Sequence, residues 1–138
     1  GLAGLRVGFG FASAEIIALM NRVRQPFNVN HLAMVAATAA LDDDEFIARS
    51  RAVNAAGLAL LNAEFASRAI EVIPSYGNFI TFRIGNAHAV YQALLKQGVI
   101  VRPVAGYGMP ERLRVTVGTA AQNARFLAAL DQATMKAA

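Results

Sequence analysis

Two arginines set on strand-like segments are where this sequence could do chemistry. In RLRVTVG (residues 112–118) alternate side chains fall on opposite faces of a strand. That puts Leu113, Val115 and Val117 on one face, and Arg112, Arg114 and Thr116 on the other. A guanidinium on a rigid strand suits a fork that grips a carboxylate or phosphate. The plain alternative is a solvent-facing arginine on a half-exposed sheet. VIVRPV (99–104) repeats the arrangement, with Val99 and Val101 facing one way and Ile100 and Arg102 the other. Pro103 cannot donate a ladder hydrogen bond and marks a strand end or edge. The turn-rich stretch AGYGMPE then leads back into RLRVTVG. If the two strands are neighbours, Arg102 and Arg114 converge on one anion.

Other side chains promise less. His31 and His88 sit in helical segments with no second ligand at i+4, and both read as structural. No serine, histidine and acid arrangement stands out for nucleophilic catalysis. Met20, Met34, Met109 and Met135 read as core filler. The opening GLAGLRVGFG lacks the G-x-G-x-x-G spacing of a dinucleotide fingerprint, and no strand precedes it to feed the turn.

The 138 residues are enough for one domain with a real core. No apolar run approaches the roughly 18 residues of a membrane span, and no signal-peptide pattern opens the chain. Without cysteine there is neither a disulfide framework nor a thiolate metal site. A cytoplasmic protein is expected. The net charge of +4 could suggest nucleic acid. However, eleven of the thirteen basic residues are arginines, and they are scattered rather than gathered in a tract. Neither nucleic acid nor membrane is an expected partner.

The elements that must position these arginines follow from periodicity. Residues 5–12 read as a short strand around Arg6. Ser13 caps a helix running to about Arg22, and Asn30 caps HLAMVAATAAL, which is apolar all round and therefore expected to be buried. The acidic step DDDE (42–45) ends that helix and places negative charge at the start of the next, long one, 43–69. After Ala69 the period changes from 3.6 to 2. IEVIP, NFITFRIG, VIVRPV and RLRVTVG read as strands. A helix closed by Gly98 lies between the second and third, and a last helix follows Thr119. The expected fold is α+β, an α/β sandwich of a sheet covered by helices, preceded by a strand and helix that belong to something else.

On these residues the chain resembles the fold-type I pyridoxal-phosphate aminotransferases, in their histidinol-phosphate aminotransferase branch. GLAGLRVGF is similar to the stretch after the cofactor lysine, S-K-x-x-G-L-A-G-L-R-x-G. GVIVRPVAGYGMPERLRVTVGT is similar to the C-terminal strands, and PFNVNHLAMVAATAAL and PSYGNFITFR to the linker and domain-entry segments. The resemblance implies that residues 1–29 are a remnant of the large cofactor domain and its linker, and that 30–138 are the C-terminal small domain. It implies that Arg6 holds the phosphate of pyridoxal 5′-phosphate. Arg114 would grip the substrate's acidic end, and Arg102 would help hold a substrate phosphate. Asn78 lies at the domain-entry strand without an assigned role.

The Schiff-base lysine of the pattern belongs three residues before Gly1, and Lys96 and Lys136 occur in unrelated contexts. The chain is therefore expected to be a fragment, inactive alone. The parent would be a homodimer exchanging an amino group between histidinol phosphate and 2-oxoglutarate in histidine biosynthesis. Its substrate would be a phosphorylated amino alcohol or an amino acid. An aromatic or other aminotransferase of the same fold stands as the alternative, and a free-standing α+β ligand-binding module as a further one.

Overall fold

The computed structural model describes residues 1–137. Ala138 and the side chains of Lys136 and Ala137, all in the expected small domain, lie outside the described residues. The chain divides into two compact units, Gly1–Ala48 and Arg49–Ala138.

In the first unit two short helices begin where polar caps stand. Ser13 Oγ accepts the Ile16 N–H at 3.4 Å and opens α1 (Ala14–Val23). Asn30 Oδ1 accepts the Ala33 N–H at 2.8 Å and opens α2 (His31–Leu41). The acidic step supplies the next start: Asp43 Oδ1 accepts the Phe46 N–H at 2.9 Å, at the head of α3 (Asp44–Ser67), within which the unit boundary falls.

Three expectations fail here. The strand at 5–12 does not form. Residues Ala3–Leu5 make a 3₁₀ turn, and Arg6 closes it in the left-handed conformation at φ 61°. A strand needs a ladder partner, and no strand among the described residues pairs with this segment. The apolar helix α2 is not buried: Ala33 is the one buried residue of the unit. Nor are Met20, Met34 and Met135 core residues, for each is about half exposed or more.

The second unit builds a core of its own. Four strands form an antiparallel sheet in the order β1-β2-β4-β3: β1 (Val72–Ile73), β2 (Phe79–Arg83), β3 (Arg102–Pro103) and β4 (Arg112–Thr116). The helical face of the sheet follows the period of two, with Ile80, Phe82, Leu113 and Val115 inward. Leu61 and Phe65 of α3, Val90 and Leu94 of α4 (Ala87–Lys96), and Phe126 and Leu130 of α5 (Ala120–Ala137) pack onto them. Phe65 stacks on Phe82 at 4.8 Å between ring centroids, and Phe126 meets both rings edge-on.

Helix ends obey the expected chemistry. Gly98, at φ 70°, turns the chain after α4 so that Val99 N–H reaches Leu94 O at 3.0 Å. Ala69 does the same after α3, at φ 54°, two residues beyond the helix end. Gly57 is needed for close approach: a Cβ there would stand 2.3 Å from Val117 Cγ1. The expected strands at 70–74 and 99–104 shrink to two residues each, since only those stretches find ladder partners.

Candidate functional site

All three helices of the second unit contribute to the core on one face of the sheet, which leaves the other face to Phe79, Thr81, Arg83, Arg112, Arg114, Thr116 and Arg102. The register there answers the question left by the sequence. β3 and β4 are neighbours, and Arg102 stands directly opposite Arg114. Directly opposed side chains on an antiparallel pair share a face, and like charges so placed repel. Among the described residues neither arginine has a carboxylate partner. Two guanidinium groups so placed, each without a carboxylate partner among the described residues, have the chemistry to take up an anion.

The other two arginines of this face are engaged. Arg112 donates to Glu71, and Arg83 is held by Glu111 at 2.7 Å with Glu71 at 3.9 Å. The hydrogen bond from Arg112 keeps the Glu71 carboxyl below its ordinary range, with attraction to Arg83 adding to the effect. Arg83 is held more firmly protonated by its bond to Glu111. The charge at the Glu71 end of the face is thus neutralised locally, and the uncompensated charge is concentrated at the Arg102–Arg114 pair.

Arg114 has a further neighbour that the sequence reading did not single out. Its guanidinium carbon lies 4.6 Å from the centroid of the Phe79 ring. Phe79 pairs with Thr116, so it sits diagonally from Arg114 on the same face. Alternation along NFITFRIG places Phe79 with Thr81 and Arg83, but a single strand carries no sign of the cross-strand neighbour.

Arg6 belongs to the first unit. Its guanidinium gives one N–H to Ala3 O at 3.2 Å, and among the described residues no carboxylate pairs with it. Asn30, besides capping α2, donates to Leu5 O at 3.1 Å and ties the turn that carries Arg6. Asn78 is held by its backbone carbonyl, which accepts the Val117 N–H at 2.8 Å.

Residues 1–130 match the family model of aminotransferase class I and II, and the chain belongs to that family. Among curated relatives it is 60% identical over 133 residues to histidinol-phosphate aminotransferase 1 of Dechloromonas aromatica, covering 96% of this chain and 37% of that protein. It is likewise 60% identical over 132 residues to the histidinol-phosphate aminotransferase of Methylobacillus flagellatus, covering 96% of this chain and 36% of that one. The chain thus spans a little over a third of the length of these relatives. The crystal structure of histidinol-phosphate aminotransferase from Sinorhizobium meliloti in complex with pyridoxal-5′-phosphate is 23% identical. It superposes with a TM-score of 0.89, over 100% of this chain and 39% of that one, which establishes the fold. Among the described residues no helix is long and apolar enough to cross a membrane.

Proposed function

We propose that this chain is the C-terminal part of a histidinol-phosphate aminotransferase. In this reading residues 1–29 come from the cofactor domain and its linker, 30–138 form the small domain, and the parent works as a cytoplasmic homodimer. The observation that carries the substrate assignment is the direct opposition of Arg102 and Arg114, with no carboxylate partner for either among the described residues. A phosphate monoester carries nearly two charges and three acceptor oxygens, which two guanidinium forks can share. An α-carboxylate alone needs one fork. The 60% identity to relatives that bear the histidinol-phosphate name favours this reading over an aromatic aminotransferase or a free-standing module.

The residues present fit the phosphate of pyridoxal 5′-phosphate in one respect. Arg6 spends a single N–H on Ala3 O, is paired with no carboxylate among the described residues, and so keeps donors for an anion. That cofactor, when bound, supplies the electron sink on which amino-group exchange depends. Arg6 would hold its phosphate, and Arg114 and Arg102 would bind and orient the substrate's acidic end. The lysine that the family uses for covalent attachment is not among these 138 residues, whose lysines are Lys96 and Lys136. The chain by itself is therefore expected not to transaminate.

Steady-state kinetics of the full-length enzyme test the assignment. A hydrogen-bonded charge contact is worth about 1.5–3 kcal/mol. Arg102→Ala should accordingly lower kcat/KM for histidinol phosphate roughly 10- to 100-fold, and for an unphosphorylated amino acid by much less. Equal losses on both substrates would remove the phosphate assignment. Arg114→Ala should damage both.

A further inference from the structure

We propose that Phe79 is a positioning residue for Arg114, its ring fixing the guanidinium as one arm of the anion fork. The proposal rests on the reading of Arg114 as an anion ligand and deepens it. Arg114 faces a like charge directly across the ladder in Arg102, and with no carboxylate among the described residues to anchor it an arginine in that position would be driven to spread among rotamers. The Phe79 ring, 4.6 Å from the guanidinium carbon, supplies an attraction that consumes none of the five N–H donors. A carboxylate in the same place would hold the side chain equally well but would neutralise it and occupy the fork. An aromatic face does the holding and leaves the donors for a ligand.

The ring is itself held by the chain before β2. Asn54 of α3 donates through Nδ2 to Gly77 O at 3.1 Å, and Gly77 N–H donates to Ser75 Oγ at 3.2 Å. A Cβ at Gly77 would come within 3.3 Å of the Phe79 ring, so the turn lies close against it. Phe79 is not part of the buried cluster that stabilises the unit, which separates its role from core packing.

The test pairs two substitutions, Phe79→Leu and Phe79→Tyr, with Arg114→Ala. Arginine side-chain NMR on the 138-residue chain reads the ring directly. Phe79→Leu should abolish the ring-current shift of the Arg114 Nε–H and increase its mobility, and Phe79→Tyr should retain both. In the full-length enzyme Phe79→Leu should raise KM for histidinol phosphate roughly two- to fivefold, the worth of an exposed cation–π contact, with a smaller change in kcat. Phe79→Tyr should restore it. An Arg114 signal indifferent to Phe79→Leu overturns the proposal, as does a lost shift with unchanged KM. If Arg114→Ala itself leaves KM for both substrate classes unchanged, the anion reading of Arg114 falls, and the role assigned to the ring falls with it. A ring-current shift intact in wild type would then show that the contact is real and only its function misread.

Discussion

The two units contrast sharply in what they bury. Gly1–Ala48 has three helix starts, two of them with side-chain caps of good geometry, and yet Ala33 is its one buried residue. Phe11 and Phe27 are almost wholly exposed, and a shallow apolar groove lined by Val7, Phe9, Leu41, Phe46 and Ile47 stands open. Among its described residues the unit that begins at Arg49 fully buries eight large aliphatic and aromatic side chains, among them Phe65, Phe82 and Leu130. Local rules are satisfied equally well in both. The difference teaches that caps and propensities shape a helix but do not hold it in place. Conformational entropy of about 1–2 kcal/mol per residue must be offset by burial, and the first unit supplies almost none of its own.

Cutting the chain ahead of Asp43 should break the comparison open with the largest effect. A peptide spanning 43–138 retains the Asp43 cap and the whole core and should melt cooperatively with a helical circular-dichroism spectrum. Residues 1–42 contain helices of 10 and 11 residues, below the length at which isolated helices persist in water. They should give a coil-like spectrum without a cooperative transition. A cooperative melt from residues 1–42 would show that the first unit has a source of stability other than burial.

A pair of phenylalanine truncations sharpens the same contrast at single-residue scale. Phe82→Ala removes a side chain at 0% exposure that touches Phe65 and Phe126. It should cost about 3–5 kcal/mol in urea unfolding of the chain. Phe11→Ala removes one at 94% exposure and should stay within about 0.5 kcal/mol. Similar losses would mean that the exposed ring is covered in solution.

The same contrast decides what could be read from the sequence. Where elements bury their own faces, period located them: the alternation in RLRVTVG and NFITFRIG and the stop at Gly98 match the structure, and the caps at Ser13 and Asn30 match it even in the unit that buries almost nothing. The strand expected around Arg6 failed because strand pattern is only half of a strand. The other half is a partner, and without one the chain turns at Arg6, which itself takes the left-handed conformation. HLAMVAATAAL was expected to be buried because it is apolar all round, and within these residues it is not. Its composition records a burial that the first unit does not provide. At the site, Arg102 and Arg114 were visible as strand residues. Their opposition depended on β3 lying beside β4, a long-range fact that neither segment carries. Phe79 was missed for the same reason, since a cation–π pair across a ladder is set by register.

The smallest expected effect lies on the surface of the second unit, where Arg68 joins the end of α3 to α5. Its Nε and Nη2 grip the two oxygens of Asp131 at 2.7 and 2.9 Å, and Nη1 reaches the Glu64 side chain and carbonyl. The hydrogen bond from Arg68, opposed by partial desolvation, keeps the Asp131 carboxyl below its ordinary range, and the same bond holds Arg68 still more firmly protonated. A carboxyl whose value is lower in the folded than in the unfolded chain binds its proton less readily when folded. It therefore adds stability above its unfolded value, near 4, and that stability is lost as pH falls through the lower folded value. The Asp131 side chain is half exposed, so solvent limits the bidentate pair to about 1 kcal/mol or less. Arg68→Ala should thus destabilise the 43–138 peptide by that amount at pH 7, and the gap to wild type should close between about pH 4 and pH 2. Urea titrations at the two pH values measure it. A gap that persists undiminished at pH 2 would assign the effect to what protonation leaves in place, the packing of the arginine stem and its bond to the Glu64 carbonyl, rather than to the ion pair with Asp131. The link between α3 and α5 would then be apolar, like the core beneath it.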